Sequence, residues 1–422
     1  MDHFAFRDGQ MYCEDVPLAR IAAAVGTPVY VYSTATMVRH AGVLEEVLAP
    51  LGDPLIAFAV KANPNVAVLA TLARQGLGAD IVSIGEYARA RTAGVPPERI
   101  VFSGVGKTEA EMAAALSGGL YQFNLESVAE AEMLSRVARD VGGEAAVAFR
   151  INPDVVAGSH AKISTGAAAD KFGIPIGEAV AACALARDLP GLKVQGVAIH
   201  IGSQLASLDP LAAAFAKVGV LIGELRGAGH DITVADLGGG LAAHYDPAEP
   251  APPGPDDYGA MVRRVAGDWH CRLVFEPGRM IVGNAGILLS RVIRLKPGPE
   301  HPFVIVDAAM NDLMRPALYD AWHAILAAEP SGESMVATIV GPVCESGDTF
   351  AVAREMDRVE AGDLVLFRTA GAYAAAMSNT YNSRPLTPEV LVDGDRWAVV
   401  RQRVGVEALI AGDSLPDWLA LP

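Results

Sequence analysis

From residue 55 onward the apolar positions fall into a repeating rhythm, in which runs of strand length alternate with stretches of helical period. The runs are LIAFAV (55–60), GADIVS (78–83), RIVFSG (99–104), LYQFNL (120–125), AAVAFRI (145–151), KVQGVAIHI (193–201), DITVADL (231–237) and RLVFEP (272–277). Between them lie amphipathic helices. The clearest puts Leu208, Leu211, Phe215, Val218, Ile222 and Leu225 on one face. Two helices open with the capping-box pattern, Thr108 with Glu111 and Ser127 with Glu130. Eight strand–helix repeats over about 220 residues match a (β/α)8 TIM-type barrel in count and length. A doubly wound open sheet is the rival architecture, and eight regular repeats favour closure.

The pattern changes after Pro277. MIVGNAGILLSRVIRL, FVIVDA, MVATIVGPV, GDLVLFRTA and EVLVDGDRWAVVRQR read as strands joined by tight turns such as Asp393-Gly394, interrupted by one helical segment from about Asp312 to Ala328. Residues 4–14 read as a hairpin turning at Asp8-Gly9, followed by a short helix from Leu18, the β-rich TPVYVYS (27–33) and a helix over 34–48. The hairpin has no barrel role and is expected to join the β domain. The organisation expected is α/β plus β: an N-terminal segment 1–33, a barrel 34–278, and a mostly β domain 279–422 completed by the N-terminal hairpin. AEPAPPGPDD (248–257) reads as a surface loop. The small-residue stretch 155–174 follows the fifth strand, where long loops often cover an active site.

Composition narrows the function. The 422 residues suffice for two or three domains, and 51% of them are apolar, as in an ordinary soluble globular protein. A net charge of −16 argues against a nucleic-acid partner, which needs a basic face. Cys13, Cys183, Cys271 and Cys344 lack CxxC or metal-ligand spacing, fitting reduced thiols of a cytoplasmic protein with no metal site. The N-terminus MDHFAFRDGQ carries no signal-peptide pattern, and no apolar run is long enough to span a bilayer.

In a barrel of this type the active site lies at the C-terminal ends of the strands. The chemically distinctive residues fall there: Lys61 after strand one, Arg150 near the end of five, His200 and Ser203 after six, Gly238, Gly239 and Gly240 after seven, Glu276 and Arg279 after eight. Lys61 ends the apolar run AFAVKAN. Either the chain turns and the amine reaches water, or the amine is held in an apolar pocket, where it becomes a nucleophile for carbonyls. The triple glycine lets backbone N–H groups approach an anion, with a flexible turn as the alternative. His200 taken singly fits a core histidine, and Arg279 fits a salt-bridge partner of Glu276. Together, however, a lysine, a phosphate cradle, a histidine and a buried carboxylate suit pyridoxal 5'-phosphate. The lysine takes the aldehyde, the glycines the phosphate, the carboxylate the ring nitrogen and the histidine the ring face.

The stretches AFAVKAN, GADIVSIGE, FRINP, KFGI, HIGSQ, LGGGL, EPGR, MNDLMRPALYDAWH, GPVCESGD and GAYAAAMSNTYN carry a resemblance over nearly the whole chain. The sequence resembles the diaminopimelate decarboxylase family, within the alanine-racemase-like (fold type III) class of pyridoxal-phosphate enzymes. The resemblance implies a barrel plus a β domain and a homodimer with active sites shared between subunits. It implies that Lys61 is the Schiff-base lysine and that His200 stacks on the ring. Ser203, Gly238, Gly239, Gly240, Gly278 and Tyr373 become phosphate or cofactor contacts, and Asp80 and Arg150 groups near the ring. Glu276 becomes the partner of the ring nitrogen. Arg279, Arg315, Tyr319 and Tyr373 become substrate contacts. Cys344 and Glu345, from the partner subunit, become the proton donor and the contact to the distal amine.

The expected reaction is loss of one carboxylate from meso-2,6-diaminopimelate, giving L-lysine and carbon dioxide as the last step of lysine biosynthesis. A decarboxylase of ornithine, lysine or arginine is the nearest rival. Arg315 in RPALY and Glu345 directly after Cys344 favour a substrate with carboxylates at both ends. An amino-acid racemase of this class would pair the ring nitrogen with arginine, which Glu276 argues against. A non-catalytic cofactor carrier would be a barrel alone.

Overall fold

The computed structural model describes residues 2–156 and 170–419. Contacts divide the chain into two units, Met37–Gly283, and Met1–Thr36 together with Asn284–Pro422. Most of the stretch 155–174 lies outside the described residues.

In the first unit eight parallel strands run Leu55–Ala59, Gly78–Ile81, Ile100–Phe102, Gln122–Leu125, Ala145–Asn152, Leu192–Ala198, Val234–Asp236 and Arg272–Phe275. Each pairs with the next, and the eighth closes on the first through Val274–Leu55 and Phe275–Ile56. This is the closed TIM-type barrel that the repeat count implied. A short extra strand, Ile174–Pro175, extends the fifth at Ile151 and Asn152.

Side chains alternate faces along a strand, so residues two apart share the barrel interior. The columns that result change character from bottom to top. Leu55, Ala57, Val101, Val234 and Val274 form a dry cluster with Tyr121 against it. Two residues further on, Val101 gives way to Ser103, Val234 to Asp236 and Val274 to Glu276, all buried. Gln122 and Asn124 form a fourth column that is polar throughout, and both are buried. The apolar layer removes surface from water at about 25 cal/mol per Å²; the polar layer above it must be satisfied internally.

The helices cover the outside as their periodicity required. Asp209–Gly227 buries Leu211, Phe215, Val218, Ile222 and Leu225. Glu109–Ser117 opens with a complete capping box between Thr108 and Glu111. The second box is only half formed. Ser127 Oγ accepts from the Glu130 N–H at 3.2 Å, but the Glu130 carboxylate accepts instead from Glu126 N–H at 2.7 Å and Lys107 Nζ at 2.6 Å. Lys107 is a buried ammonium whose other partners are two carbonyls, and its charge diverts the carboxylate from the cap.

The second unit carries a three-stranded sheet, Phe4–Arg7, Gln10–Cys13 and Val16–Pro17, and a nine-stranded mixed sheet. The larger sheet is centred on Val29–Ser33, which lies antiparallel to Gly286–Lys296 and parallel to Glu389–Asp393. Phe4, Met11 and Cys13 of the hairpin join a core with Val29, Val31, Ile287, Leu289, Leu366 and Val390. Met11 N–H donates to Ala328 O at 2.8 Å, tying the hairpin to the C-terminal third.

Three sequence expectations need correction here. The segment expected to be helical from Asp312 to Ala328 holds only the helix Arg315–Tyr319, stopped by Asp320 at φ +52°, and then the strand Ile325–Ala327, which pairs with Leu364–Phe367. The run from Met280 begins as a helical turn, Arg279–Val282, and its strand starts at Gly286. Thr349–Asp357 is a strand that the hydrophobic pattern did not single out, because Arg354 and Glu355 interrupt its alternation. Among the described residues no helix is long and apolar enough to cross a membrane, and no cluster of side chains has metal-ligand geometry.

Candidate active site

A cavity of about 410 Å³ opens at the C-terminal end of the barrel. Lys61, Ser103, Asn124, Arg150, His200 and Glu276 contribute to its wall. Lys61 sits one step past the first strand, in the turn Val60–Ala62. Its side chain is 34% exposed and its amine forms an ion pair with Asp80, whose side chain is fully buried. The lysine is therefore half-buried and lines the cavity. Asp80 Oδ1 has no hydrogen-bond partner among the described residues.

On the barrel axis, Glu276 Oε1 accepts from Ser103 Oγ at 3.2 Å and from Asn124 Nδ2 at 3.3 Å. Asn124 Nδ2 also donates to Asp236 Oδ2 at 2.8 Å. The carboxyl groups of Glu276 and Asp236 hydrogen-bond each other. Burial, followed by the charges of Asp236 and Asp80, pushes the Glu276 carboxyl well above its ordinary range. Burial likewise raises Asp236, to about 6. Two desolvated carboxyls in contact cannot both ionise without a cation.

His200 follows the sixth strand and faces the cavity. Its Nδ1 accepts from the Gly239 N–H at 3.3 Å, which leaves a neutral ring with its proton on Nε2. Burial, with Arg150 and then Lys61 adding positive charge, holds the ring well below the usual histidine range, so it is uncharged at neutral pH. Arg150 donates to Glu126 Oε1 at 3.0 Å and to His200 O at 3.2 Å, and its guanidinium lies 4.5 Å from the centre of the Phe172 ring.

The triple glycine packs too closely for any side chain. Gly238 has φ +64°, and a Cβ there would lie 2.3 Å from Ile199 O; one on Gly239 would lie 2.2 Å from Glu276 O. The N–H groups expected to face an anion are partly engaged within the protein. Gly238 N–H donates to Asp236 Oδ1 at 3.0 Å and Gly239 N–H to His200 Nδ1. Beside the turn, Arg279 donates to Ser203 Oγ at 3.0 Å and to Tyr245 Oη at 2.7 Å. Gly278 caps the Arg279 helical turn.

The remaining candidates belong to the second unit. Buried Arg315 donates to His323 Nε2 at 2.8 Å, and His323 Nδ1–H donates to Arg368 O at 2.8 Å, which fixes the tautomer. Tyr319 ends the short helix. Cys344 is exposed, and its N–H donates to Asn382 Oδ1 at 3.2 Å. The Glu345 carboxylate hydrogen-bonds the Tyr381 hydroxyl and pushes that phenol up. The loop is pinned by Asp348, which accepts from the Met310 and Val343 N–H groups, each at 2.6 Å. Tyr373 has φ +53°, unusual for a bulky side chain.

Residues 35–283 match the family model for the pyridoxal-binding domain of pyridoxal-dependent decarboxylases. Diaminopimelate decarboxylase of Zymomonas mobilis is 52% identical over 99% of both chains. That of Pseudomonas aeruginosa is 48% identical over 98% of this chain and 99% of its own. The chain belongs to the diaminopimelate decarboxylase family. The crystal structure of the M. jannaschii family member in complex with L-lysine superposes with a TM-score of 0.95, at 35% identity and 99% coverage of both chains.

The donor set fits pyridoxal phosphate. Glu276 and Asp236, with the orphaned oxygen of Asp80, call for a positively charged guest on the axis. Ser203 and Arg279 beside the glycine turn suit an anion, and Lys61 lines the same cavity as Glu276 and His200. Sequence reasoning did not single out Asn124, Ser103, Asp236, Tyr245 or Glu126. A signal existed for two of them: Asn124 is a polar residue inside the apolar run LYQFNL, and Asp236 precedes the glycines by two positions.

Proposed function

We propose that the chain removes the carboxylate from one end of meso-2,6-diaminopimelate, yielding L-lysine and carbon dioxide with pyridoxal 5'-phosphate as cofactor. The observation that carries this reading is the Lys61 amine lining the same cavity as Glu276, one flank paired with buried Asp80. When bound, the cofactor supplies a conjugated ring that accepts the electron pair left as carbon dioxide departs.

The chain's residues do the rest. Lys61 is the amine that would hold the cofactor's aldehyde. Glu276 would hold the ring nitrogen and supply the charge that favours the ring as an electron sink. Neutral His200 provides a flat, uncharged wall against the ring, while Arg150 and Asp80 fix the groups around it. Ser203, Gly238, Gly239, Gly240 and Gly278 take the phosphate end, with Tyr373. Arg279, Arg315 and Tyr319 hold substrate carboxylates, and a guanidinium does so with two parallel bonds. Cys344 returns a proton to the carbon that lost its carboxylate, and Glu345 holds the distal amine. These last two act in the active site of the partner subunit of a cytoplasmic homodimer, an assignment supported by the family resemblance.

The test is direct. Purified protein, pyridoxal phosphate and meso-diaminopimelate are mixed, and carbon dioxide and L-lysine are assayed in equal amounts. Borohydride treatment of the cofactor-loaded protein should fix the label on Lys61; label on another lysine, or none, would sink the reading.

A further inference from the structure

Asp236 is completely enclosed and touches neither bulk water nor, in the roles above, the substrate or cofactor. Its surroundings are nevertheless built with a direction. Gln195 Nε2 donates to Gln122 Oε1 at 3.0 Å, and Gln122 Nε2 donates to Asn124 Oδ1 at 2.8 Å. That chain of amides orients Asn124 so that its NH₂ points at the acids, reaching Asp236 at 2.8 Å and Glu276 at 3.3 Å. Asp236 receives a second obligate donor, the Gly238 N–H at 3.0 Å. Glu276 has two longer contacts, Asn124 Nδ2 at 3.3 Å and the Ser103 hydroxyl at 3.2 Å, the latter itself accepting from Asn124 Nδ2 at 3.1 Å.

The better-solvated member of a carboxyl pair is the one that ionises. Each carboxyl has two donors, and those on Asp236 are the shorter, which makes Asp236 the anion and Glu276 the acid, the O–H of Glu276 donating to Asp236. We propose that Asp236 is a positioning residue that keeps a proton on Glu276 for delivery to the cofactor's ring nitrogen. On binding, one O–H bond of Glu276 breaks and one N–H bond forms on a neutral pyridine nitrogen. The pair goes from one negative charge to two, and the ring gains the matching positive charge. No other reactant is needed. Asp236 then remains as the second counter-charge behind Glu276, while its bond to the Gly238 N–H ties the same carboxylate to the glycine turn. The other charged groups facing Glu276 are Lys61 and Asp80, and the Tyr258 hydroxyl lies near Asp236. The inference rests on the cofactor assignment made above.

Two ligands separate the possibilities: pyridoxal phosphate, and its deaza analogue in which C–H replaces the ring nitrogen. Infrared difference spectra of the apoprotein near neutral pH should show a protonated-carboxyl C=O band, absent from Glu276→Gln. The band should disappear on adding pyridoxal phosphate and persist with the analogue. In Asp236→Asn the preference for pyridoxal phosphate over the analogue, read from fluorescence quenching, should fall at least about tenfold, with affinity for the analogue unchanged. The proposal is overturned if the wild-type band is missing or survives pyridoxal phosphate, or if Asp236→Asn weakens both ligands equally, as a packing role would. Should that variant not fold, the wild-type spectra decide alone. Failure of wild type to bind either ligand overturns the cofactor assignment itself.

Discussion

In the barrel unit, Asp80, Asn124 and Asp236 lie within strands and Glu276 one residue beyond one, each set by the two-residue alternation of a paired strand. In the β unit, Arg315, Cys344 and Tyr373 sit on a five-residue helix or on turns, with contacts that include Arg315 to His323 and the Cys344 N–H to Asn382. The first arrangement is stiff: moving one carboxyl means moving a strand bonded on both sides. The second is adjustable residue by residue. In the proposed assignment most cofactor contacts, which must hold charge at a fixed point, fall to the stiff unit, and most substrate contacts other than Arg279 fall to the adjustable one.

The largest effects should come from removing one reactive group from each unit. Lys61→Ala should lower turnover by more than about 10⁴-fold and Cys344→Ala by about 10²–10⁴-fold. Mixed together, the two inactive proteins should regain activity, because a hybrid dimer carries one intact site. No recovery despite demonstrated subunit exchange would show that the two units act within one chain.

Substrate choice comes next. Arg315→Ala should lower kcat/KM for meso-diaminopimelate by roughly 30-fold to several-thousand-fold, a loss of about 2–5 kcal/mol, while the cofactor spectrum stays intact. Wild type should handle lysine and ornithine poorly. Equal kcat/KM for all three would move the protein to the basic amino-acid decarboxylases and assign no substrate role to the β unit.

A smaller effect is electrostatic. Asp236 and Glu276 have folded pKa values raised above their unfolded ones, so the stability they contribute is full below the unfolded values. For Asp236 it is lost as pH rises from 3.8 to about 6. His200, lowered in the folded state, acts oppositely and costs stability as pH falls below 6.5. Comparing wild-type apoprotein with Glu276→Gln cancels the histidine term. Urea unfolding should show the variant gaining on wild type as pH rises above 4.5, the ordinary glutamate value, because only wild type then loses the contribution of the raised Glu276 carboxyl. Parallel curves would mean that the pair is not protonated. The smallest effect is local: Thr108→Ala removes a complete capping box and should cost about 1 kcal/mol without touching kcat.

The same contrast governs what could be read from the amino-acid order. All eight barrel strands were legible because each is a compact apolar run, and the residues that break those runs near their ends, such as Lys61 and Glu276, announced the cavity. Asn124 and Asp236 sat inside the runs, where an isolated polar residue looks like a lapse in a strand; only closure of the barrel brings them together. In the β unit, the five-residue helix RPALY, with Pro in its first turn, resembles the start of a longer one until Asp320 turns left-handed. The strand Thr349–Asp357 alternates too irregularly to stand out. Neither Cys344 nor Glu345 carries a local signal of function, and their roles came from family resemblance.

The layering of the barrel interior has a consequence for engineering. The dry layer of Leu55, Ala57, Val101, Val234 and Val274 lies two residues below Ser103, Asp236 and Glu276 on the shared strands. Buried ionisable groups of that kind are commonly less favourable than apolar residues of the same volume. An inert version of this barrel, its upper tier filled with aliphatic side chains and its lower tier untouched, should melt at a higher temperature than the working enzyme. The enzyme's heat tolerance is thus limited from above, by the tier that does chemistry, and a search for hardier variants is best confined to the lower tier and the outer helices.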